Sequence, residues 1–480
     1  MRMLIDGEWV DAADGRVDQI RDKATGAVIE AAPHGGPLDV ARAVEAAQRG
    51  RRAMAVMPSY RRAEVIQRAA DAVQSDHAAL CQLLARENGK TLREVRSELD
   101  AAIRIFRGYA EEAKRVFGRA TPLDSVPGQA GSLAVTLRQP RGVIAAIIPF
   151  NYPAELWAHK IAAGLAAGNA VITKPPEECP LTIGRIAAFL EAAGLPRGAH
   201  QVITGLGETV GAALVRAPGV HMVSMTGSTE AGRQILRDAA DSLKKVHLEL
   251  GGNDATIVCA DADPLRVAAD LISGRFTSGN GQICCAVKRV MVARDIHEDL
   301  VDSLVEMTRF LKLGDPRDAD TDVGPLITEA AAQRVEAQIA RAVAEGAQLL
   351  IGGTREGNFI APAVLTGVPN AASVFNEEIF GPVLPVFAFD DFDEALRLAN
   401  QSVYGLQAAI YTQDLGMIMK AFRELEVGTV VVNHTTAIRV ENLPFGGTKL
   451  SGNGREGLHE TLLDMTEQKT LLMNDVFTAA

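Results

Sequence analysis

Cysteine is sparse in this sequence. Thiols at 81, 179, 259, 284 and 285 are an odd number spread over 480 residues, too few and too scattered for a disulfide framework, and they favour a reducing compartment. None has the spacing that brings two sulfurs onto one zinc ion, so no metal is expected. Long apolar runs are missing as well: nothing approaches the roughly 18 residues that a membrane helix needs. The opening MRMLIDGEWVDAADG lacks the apolar stretch of a signal peptide, and its acidic residues argue against a transit peptide. There is no basic excess either. With a net charge of −11, nothing electrostatic supports binding to nucleic acid, and Arg51-Arg52 and Arg61-Arg62 read as solvated faces of helix-like segments. Repeats and low-complexity tracts are absent. These absences lead to the expectation of a soluble cytoplasmic protein with no membrane or nucleic-acid partner.

The residues that are present describe an ordinary globular chain, 47% hydrophobic and 23% charged, long enough for two or three domains. From 38 to 117 apolar residues recur every three or four positions, which predicts a run of helices. The Gly- and Pro-containing stretch 121–142 breaks them and predicts an extended excursion. Short β-branched runs then alternate with helix-like segments: GVIAAIIP (142–149), NAVITKP (169–175), HQVITG (200–205) and VHMVSMTG (220–227). That pattern predicts a parallel, doubly wound sheet that takes a nucleotide at the carboxyl ends of its strands. A second α/β series starts near 248.

Several short stretches carry possible chemistry. In RFTSGNGQICCAVKRV (275–290), the flexible Ser278-Gly279-Asn280-Gly281 precedes Cys284 and Cys285, which suits either a nucleophilic thiol approached closely by backbone or a pair of small buried hydrophobes. Thr226-Gly227-Ser228-Thr229-Glu230-Ala231-Gly232 is a glycine-containing strand-to-helix turn, which can face a phosphate or simply cap a helix. Lys174 and Glu177 follow a strand and suit ribose hydroxyls or a surface ion pair. Asn151, between prolines, suits a turn or an oxyanion donor. Glu249, in an apolar strand end, suits a general base or a structural partner.

Together with NEEIFGPVLPV (376–386), NQSVYGL (400–406) and PFGGTKLSGNGREG (444–457), these stretches resemble the NAD(P)-dependent aldehyde dehydrogenase superfamily in order and along nearly the whole chain. The resemblance implies an α/β fold of two doubly wound domains with a small β oligomerisation extension. Residues 1–120 and 141–250 would bind the cofactor, 251–455 would form the catalytic domain, and 121–140 and 456–480 would bridge subunits of a homodimer or homotetramer. It implies Cys284 as nucleophile, Asn151 as oxyanion donor and Glu249 as the base for deacylation. Lys174, Glu177, Gly207, Gly227, Ser228, Gly232, Glu378 and Phe380 would hold the cofactor, with NAD preferred over NADP because Glu177 repels a 2′-phosphate. Tyr152, Leu156, Trp157, His159, the Arg104–Arg107 segment (Arg107 in particular), Ile283 and loop 434–442 with Arg439 would surround the aldehyde. The tail IRVENLPFGGTK resembles the branch acting on lactaldehyde, phosphonoacetaldehyde and glyceraldehyde 3-phosphate. The substrate expected is a small polar or anionic aldehyde. An aromatic aldehyde is the alternative, since Ile283 stands where relatives handling phosphorylated substrates often carry arginine. Glu249 argues against a CoA-acylating relative, which often lacks it.

Overall fold

A computed structural model describes residues 1–477; positions 478–480, at the end of the expected bridging tail, lie outside the described residues. The protein is built on two seven-stranded sheets and a three-stranded one. In the first sheet, Lys245–Glu249, Met222–Thr226, Val143–Ile147, Ala170–Lys174 and His200–Val202 lie side by side and parallel. Their alternation decides which side chain faces which layer. Ile144 and Ala146 pack under the helices Ser59–Ser75, Leu92–Glu112 and Pro153–Ala166, while Val143 and Ala145 pack on the opposite face against Pro37–Val56. Burial on both faces explains why these strands read as continuous apolar runs.

The helical reading of 38–117 matches Pro37–Val56, Ser59–Ser75, His77–Asn88 and Leu92–Glu112. Arg62 departs from the expected solvated face, because its guanidinium donates to Ala166 O and Met57 O and joins two helix ends. Ahead of the helices, a hairpin of Met3–Ile5 and Glu8–Val10 extends the first sheet antiparallel to His200–Val202. Its turn is Asp6-Gly7, with φ of 55° and 72°, the Asp-Gly signature of a tight hairpin.

The second sheet runs Gln348–Ile351, Ala363–Thr366, Val383–Phe389, Arg289–Ala293, Ala255–Val258, Gln407–Tyr411 and Thr429–Val432, all parallel except the first. The excursion forms Arg119–Pro122 and Leu133–Pro140, and the latter pairs antiparallel with Thr466–Met473 from the tail. That small sheet exposes Leu137, Leu471 and Leu472. Among the described residues, no helix is long and apolar enough to cross a membrane.

Candidate active site

The loop before Cys284 is held in a conformation that few residues tolerate. Gly279, Asn280 and Gly281 have φ of 54°, 53° and 76°. Asn280 pays for its strain with three hydrogen bonds: its Nδ2 donates to Gly89 O (2.9 Å) and Pro325 O (3.1 Å), and its Oδ1 accepts from Gly324 N (2.8 Å). At Gly281 a Cβ would lie 2.6 Å from Gly381 O, so only glycine fits. Gly279 N also donates to Glu94 Oε2 (2.9 Å), which accepts from Tyr152 OH (2.8 Å), tying the loop to the Leu92–Glu112 helix.

Cys284 is half-buried at the floor of a pocket of about 200 Å³. The adjacent Cys285 side chain holds the Cys284 thiol below its ordinary range; burial opposes this, and the Lys288 and Arg439 cations assist. Cys285 is buried, with its own thiol pushed up by that interaction. Asn151 lines the same pocket; its Oδ1 accepts from Tyr152 N (3.0 Å), leaving the Nδ2 donor free of protein partners among the described residues. Glu249 ends an edge strand, is 2% exposed, and has no hydrogen-bond partner on either oxygen among the described residues. Burial, with the Glu456 carboxylate nearby, pushes its carboxyl well above the usual range.

Above the thiol, Tyr152, Leu156, Ile283 and Phe445 give the pocket an apolar wall, and Arg104, Arg439, Glu155 and Glu441 give it charge. Arg439 donates to Glu456 Oε2 (2.6 Å), stands 3.7 Å from Glu155, and lies over the Phe445 ring at 4.6 Å. Glu456 also accepts from Lys160 Nζ (2.8 Å). Burial pushes Glu155 up to about 7. Burial also works to raise Glu456, but Lys160 and Arg439 hold it well below the carboxylate range.

Three residues expected at the substrate lie elsewhere. Arg107 pairs with Asp71 on the surface, and Arg104, one helical turn earlier, is the arginine that lines the pocket. His159 is 1% exposed inside the core beside Tyr109 OH (3.3 Å), with burial pushing it down to about 3. Trp157 is fully buried and donates to Thr173 Oγ1 (3.0 Å). Glu155 and the Lys160–Glu456 pair were missed by the sequence reading. Glu155 directly precedes Leu156, and its place on the same helix turn was the available signal.

Of the residues expected at the cofactor, those from 174 to 232 lie along the carboxyl ends of the first sheet, and Glu378 and Phe380 precede a strand of the second. Lys174 Nζ donates to Glu177 Oε2 (2.7 Å) and Pro175 O (2.8 Å). Burial works to raise Glu177, but the Lys174 ammonium, with help from the Gly207 backbone, leaves it below the ordinary value. Ser228 caps the Thr229–Ala240 helix, accepting from Ala231 N (3.2 Å), and Gly227 N donates to Glu249 O (3.0 Å). Thr226 Oγ1, at the same strand end, is buried with no partner among the described residues, a vacant polar contact that fits a bound dinucleotide. Gly232 faces inward, where a Cβ would lie 2.7 Å from Leu250, so its part is close helix–strand packing, not cofactor contact. Glu378 accepts from Lys288 Nζ and from Gly252 N (3.2 Å), and Phe380 meets Phe150 edge-on at 5.9 Å. Among the described residues, no cluster of three His, Cys, Asp or Glu side chains could hold a metal ion.

A crevice at the carboxyl ends of a doubly wound sheet, with a half-buried thiol of raised acidity beside it, is the arrangement that an oxidoreductase needs. The chain belongs to the aldehyde dehydrogenase family, whose model matches residues 9–471. It is 43% identical over 415 residues to a 3-sulfolactaldehyde dehydrogenase of Priestia megaterium, covering 86% of each chain. It is 36% identical over 470 residues to an NADP-dependent succinate-semialdehyde dehydrogenase of Escherichia coli, covering 97% of this chain and 96% of that one. The solved structure of a Staphylococcus aureus betaine aldehyde dehydrogenase in complex with NAD+ superposes with a TM-score of 0.95 at 32% identity, over 100% of this chain and 95% of that one.

Proposed function

We propose that this enzyme oxidises a small anionic aldehyde to its carboxylic acid, with NAD preferred, through a thioester on Cys284. The observation that carries the substrate class is the pair of guanidiniums, Arg104 and Arg439, that line the pocket above the thiol. Arg439 is held by Glu456 and stands 3.7 Å from Glu155, which burial keeps inclined to the neutral acid. A guanidinium placed there suits a carboxylate or sulfonate tail, as do the two relatives named for sulfolactaldehyde and succinate semialdehyde. The second reading, an aromatic aldehyde, is favoured by the apolar wall of Tyr152, Ile283 and Phe445.

Cys284 attacks the aldehyde carbon as the thiolate, and Asn151 Nδ2 with the Cys284 backbone N–H receives the developing oxyanion. The nicotinamide, when bound, supplies the hydride acceptor that converts the thiohemiacetal to a thioester. Lys174 and Glu177 are suited to the adenosine ribose, and Gly207, Gly227 and Ser228 to the pyrophosphate side. Glu378 and Phe380 are suited to the nicotinamide end. Glu249 takes a proton from water, which hydrolyses the thioester. Thr466–Met473 is an edge strand of the three-stranded sheet and carries the exposed Leu471 and Leu472, which supports strand addition between subunits of a homodimer or homotetramer.

The two substrate readings part on pH. As pH rises through about 7, Glu155 ionises 3.7 Å from Arg439 and offsets its charge, so KM for an anionic aldehyde should climb while KM for benzaldehyde stays flat. Steady-state kinetics over a pH series with succinate semialdehyde and benzaldehyde checks this, and a flat profile for the anion removes the charge argument.

Cofactor choice rests on Glu177. At about 4 Å and an effective dielectric near 20, a carboxylate and a 2′-phosphate repel by roughly 4 kcal/mol. If its bond to Lys174 offsets half of that, about 2 kcal/mol remains, more than tenfold in affinity. The expected result is kcat/KM at least tenfold higher with NAD than with NADP, narrowing in Glu177→Ser. Equal values in the unmodified enzyme would show that Glu177 does not discriminate.

A further inference from the structure

Lys245–Glu249 is the outermost strand of the first sheet, and alternation places residues 245, 247 and 249 on one face. All three are ionisable. They form a file with Asp464, at the end of the Leu458–Asp464 helix. Lys245 Nζ is 2.8 Å from Asp464 Oδ1, His247 Nδ1 is 2.8 Å from Asp464 Oδ2, and His247 Nε2 stands 3.7 Å from Glu249 Oε1. His247 is 1% exposed, and neither its Nε2 nor either Glu249 oxygen has a hydrogen-bond partner among the described residues. The outer end of the file is wet: Lys245 and Asp464 line a cleft of about 590 Å³. Two glycines press close to the file. A Cβ at Gly454 would lie 2.5 Å from His247 Nε2, and one at Gly446 would lie 2.7 Å from Glu249 Oε1.

A buried base needs an outlet, because each hydrolysis leaves a proton on it. Besides His247, the charged or titratable groups facing Glu249 are Glu456, Lys160, Arg439 and Cys284. Lys160 and Glu456 are 0% and 1% exposed and locked in an ion pair, and a guanidinium does not release its proton. The file through His247 ends instead at a carboxylate in a solvent cleft. Around His247 the ionisable neighbours are Asp464, Lys245 and Glu249.

We propose that His247 is a positioning and relay residue that carries the deacylation proton from Glu249 to solvent, with Asp464 orienting its ring. This rests on the reading of Glu249 as the base. Asp464 fixes the proton on Nδ1 and turns the Nε2 lone pair towards Glu249, as a carboxylate does for a triad histidine. A small rotation closes the 3.7 Å gap. Nε2 then takes the proton from the neutral Glu249 acid, giving an imidazolium whose Nδ1–H stays on Asp464, and Nε2 releases that proton to water of the cleft that the adjacent Gly454 lines. One proton enters and one leaves, no electrons move, and the ring is back in its starting tautomer.

The test compares wild type, His247→Gln and His247→Ala with a turned-over aldehyde and NAD, by stopped flow and at steady state across pH. In His247→Gln the first-turnover burst of NADH should keep its rate and amplitude, while kcat falls about tenfold and KM falls with it. The pH profile of kcat should change shape, and added imidazole should restore part of kcat in His247→Ala. Unchanged kcat and pH profile in His247→Gln overturns the relay alone. Loss of burst and turnover together, with no rescue by imidazole, assigns His247 a structural role and also overturns it. Absence of NADH formation in the wild type with every aldehyde overturns the reading of Cys284 and Glu249, and the relay with it.

Discussion

Cys284→Ala is expected to lower aldehyde oxidation by at least about a thousandfold while leaving NAD binding unchanged. The acidity of this thiol is raised by its surroundings: the adjacent Cys285 side chain, Lys288 and Arg439 favour the anion. Alanine removes the nucleophile and leaves the crevice at the end of the first sheet intact, so cofactor binding followed by fluorescence should not move. Cys285→Ala is the control. It removes the neighbouring thiol without touching the nucleophile, so turnover should persist, with the pH at which the burst develops shifted upwards. Equal loss in both variants would remove Cys284 from its assigned place.

Glu249→Gln is expected to give the second largest effect. The amide keeps the shape of the side chain but cannot take a proton from water, so one equivalent of NADH should form and steady turnover should then fall by about a hundredfold or more. In the unmodified enzyme the same group sets a pH limit. Burial holds its carboxyl well above the usual range, so the base is lost by protonation as pH falls through that raised value. Deacylation should therefore weaken towards acid pH, and Glu249→Gln should abolish that dependence. Rapid-mixing kinetics separates burst from turnover, and near wild-type turnover in the variant would rule out Glu249 as the base.

The residues that were legible in the sequence are those whose chemistry is local. A β-branched run such as GVIAAIIP has one way to be buried on both faces, and it forms Val143–Ile147. The Gly279-Asn280-Gly281 turn announced an unusual backbone, and all three residues have positive φ. What remained hidden depends on packing between segments distant in sequence. Arg104 and Arg107 stand one turn apart on a single helix, and their separation into pocket and surface is decided by Glu441, 337 positions from Arg104, and Asp71, 36 positions from Arg107. His159 read as a pocket residue, yet the core needed a partner for Tyr109 OH. The hairpin at Asp6-Gly7 was readable from its turn dipeptide but joins a sheet whose next strand begins at His200. His247 carried a signal in the alternation of 245, 247 and 249, whose meaning depends on Asp464, 217 residues away.

The most direct measurement is the mass of the acyl-enzyme. Glu249→Gln is mixed with NAD and an aldehyde that the wild type oxidises, quenched in acid, digested and mapped. The expected result is one acyl group, of the mass of the product acid less water, on Cys284 and none on Cys285. An acyl group on Cys285, or NADH formed in equal measure with every cysteine unmodified, would contradict oxidation through a Cys284 thioester.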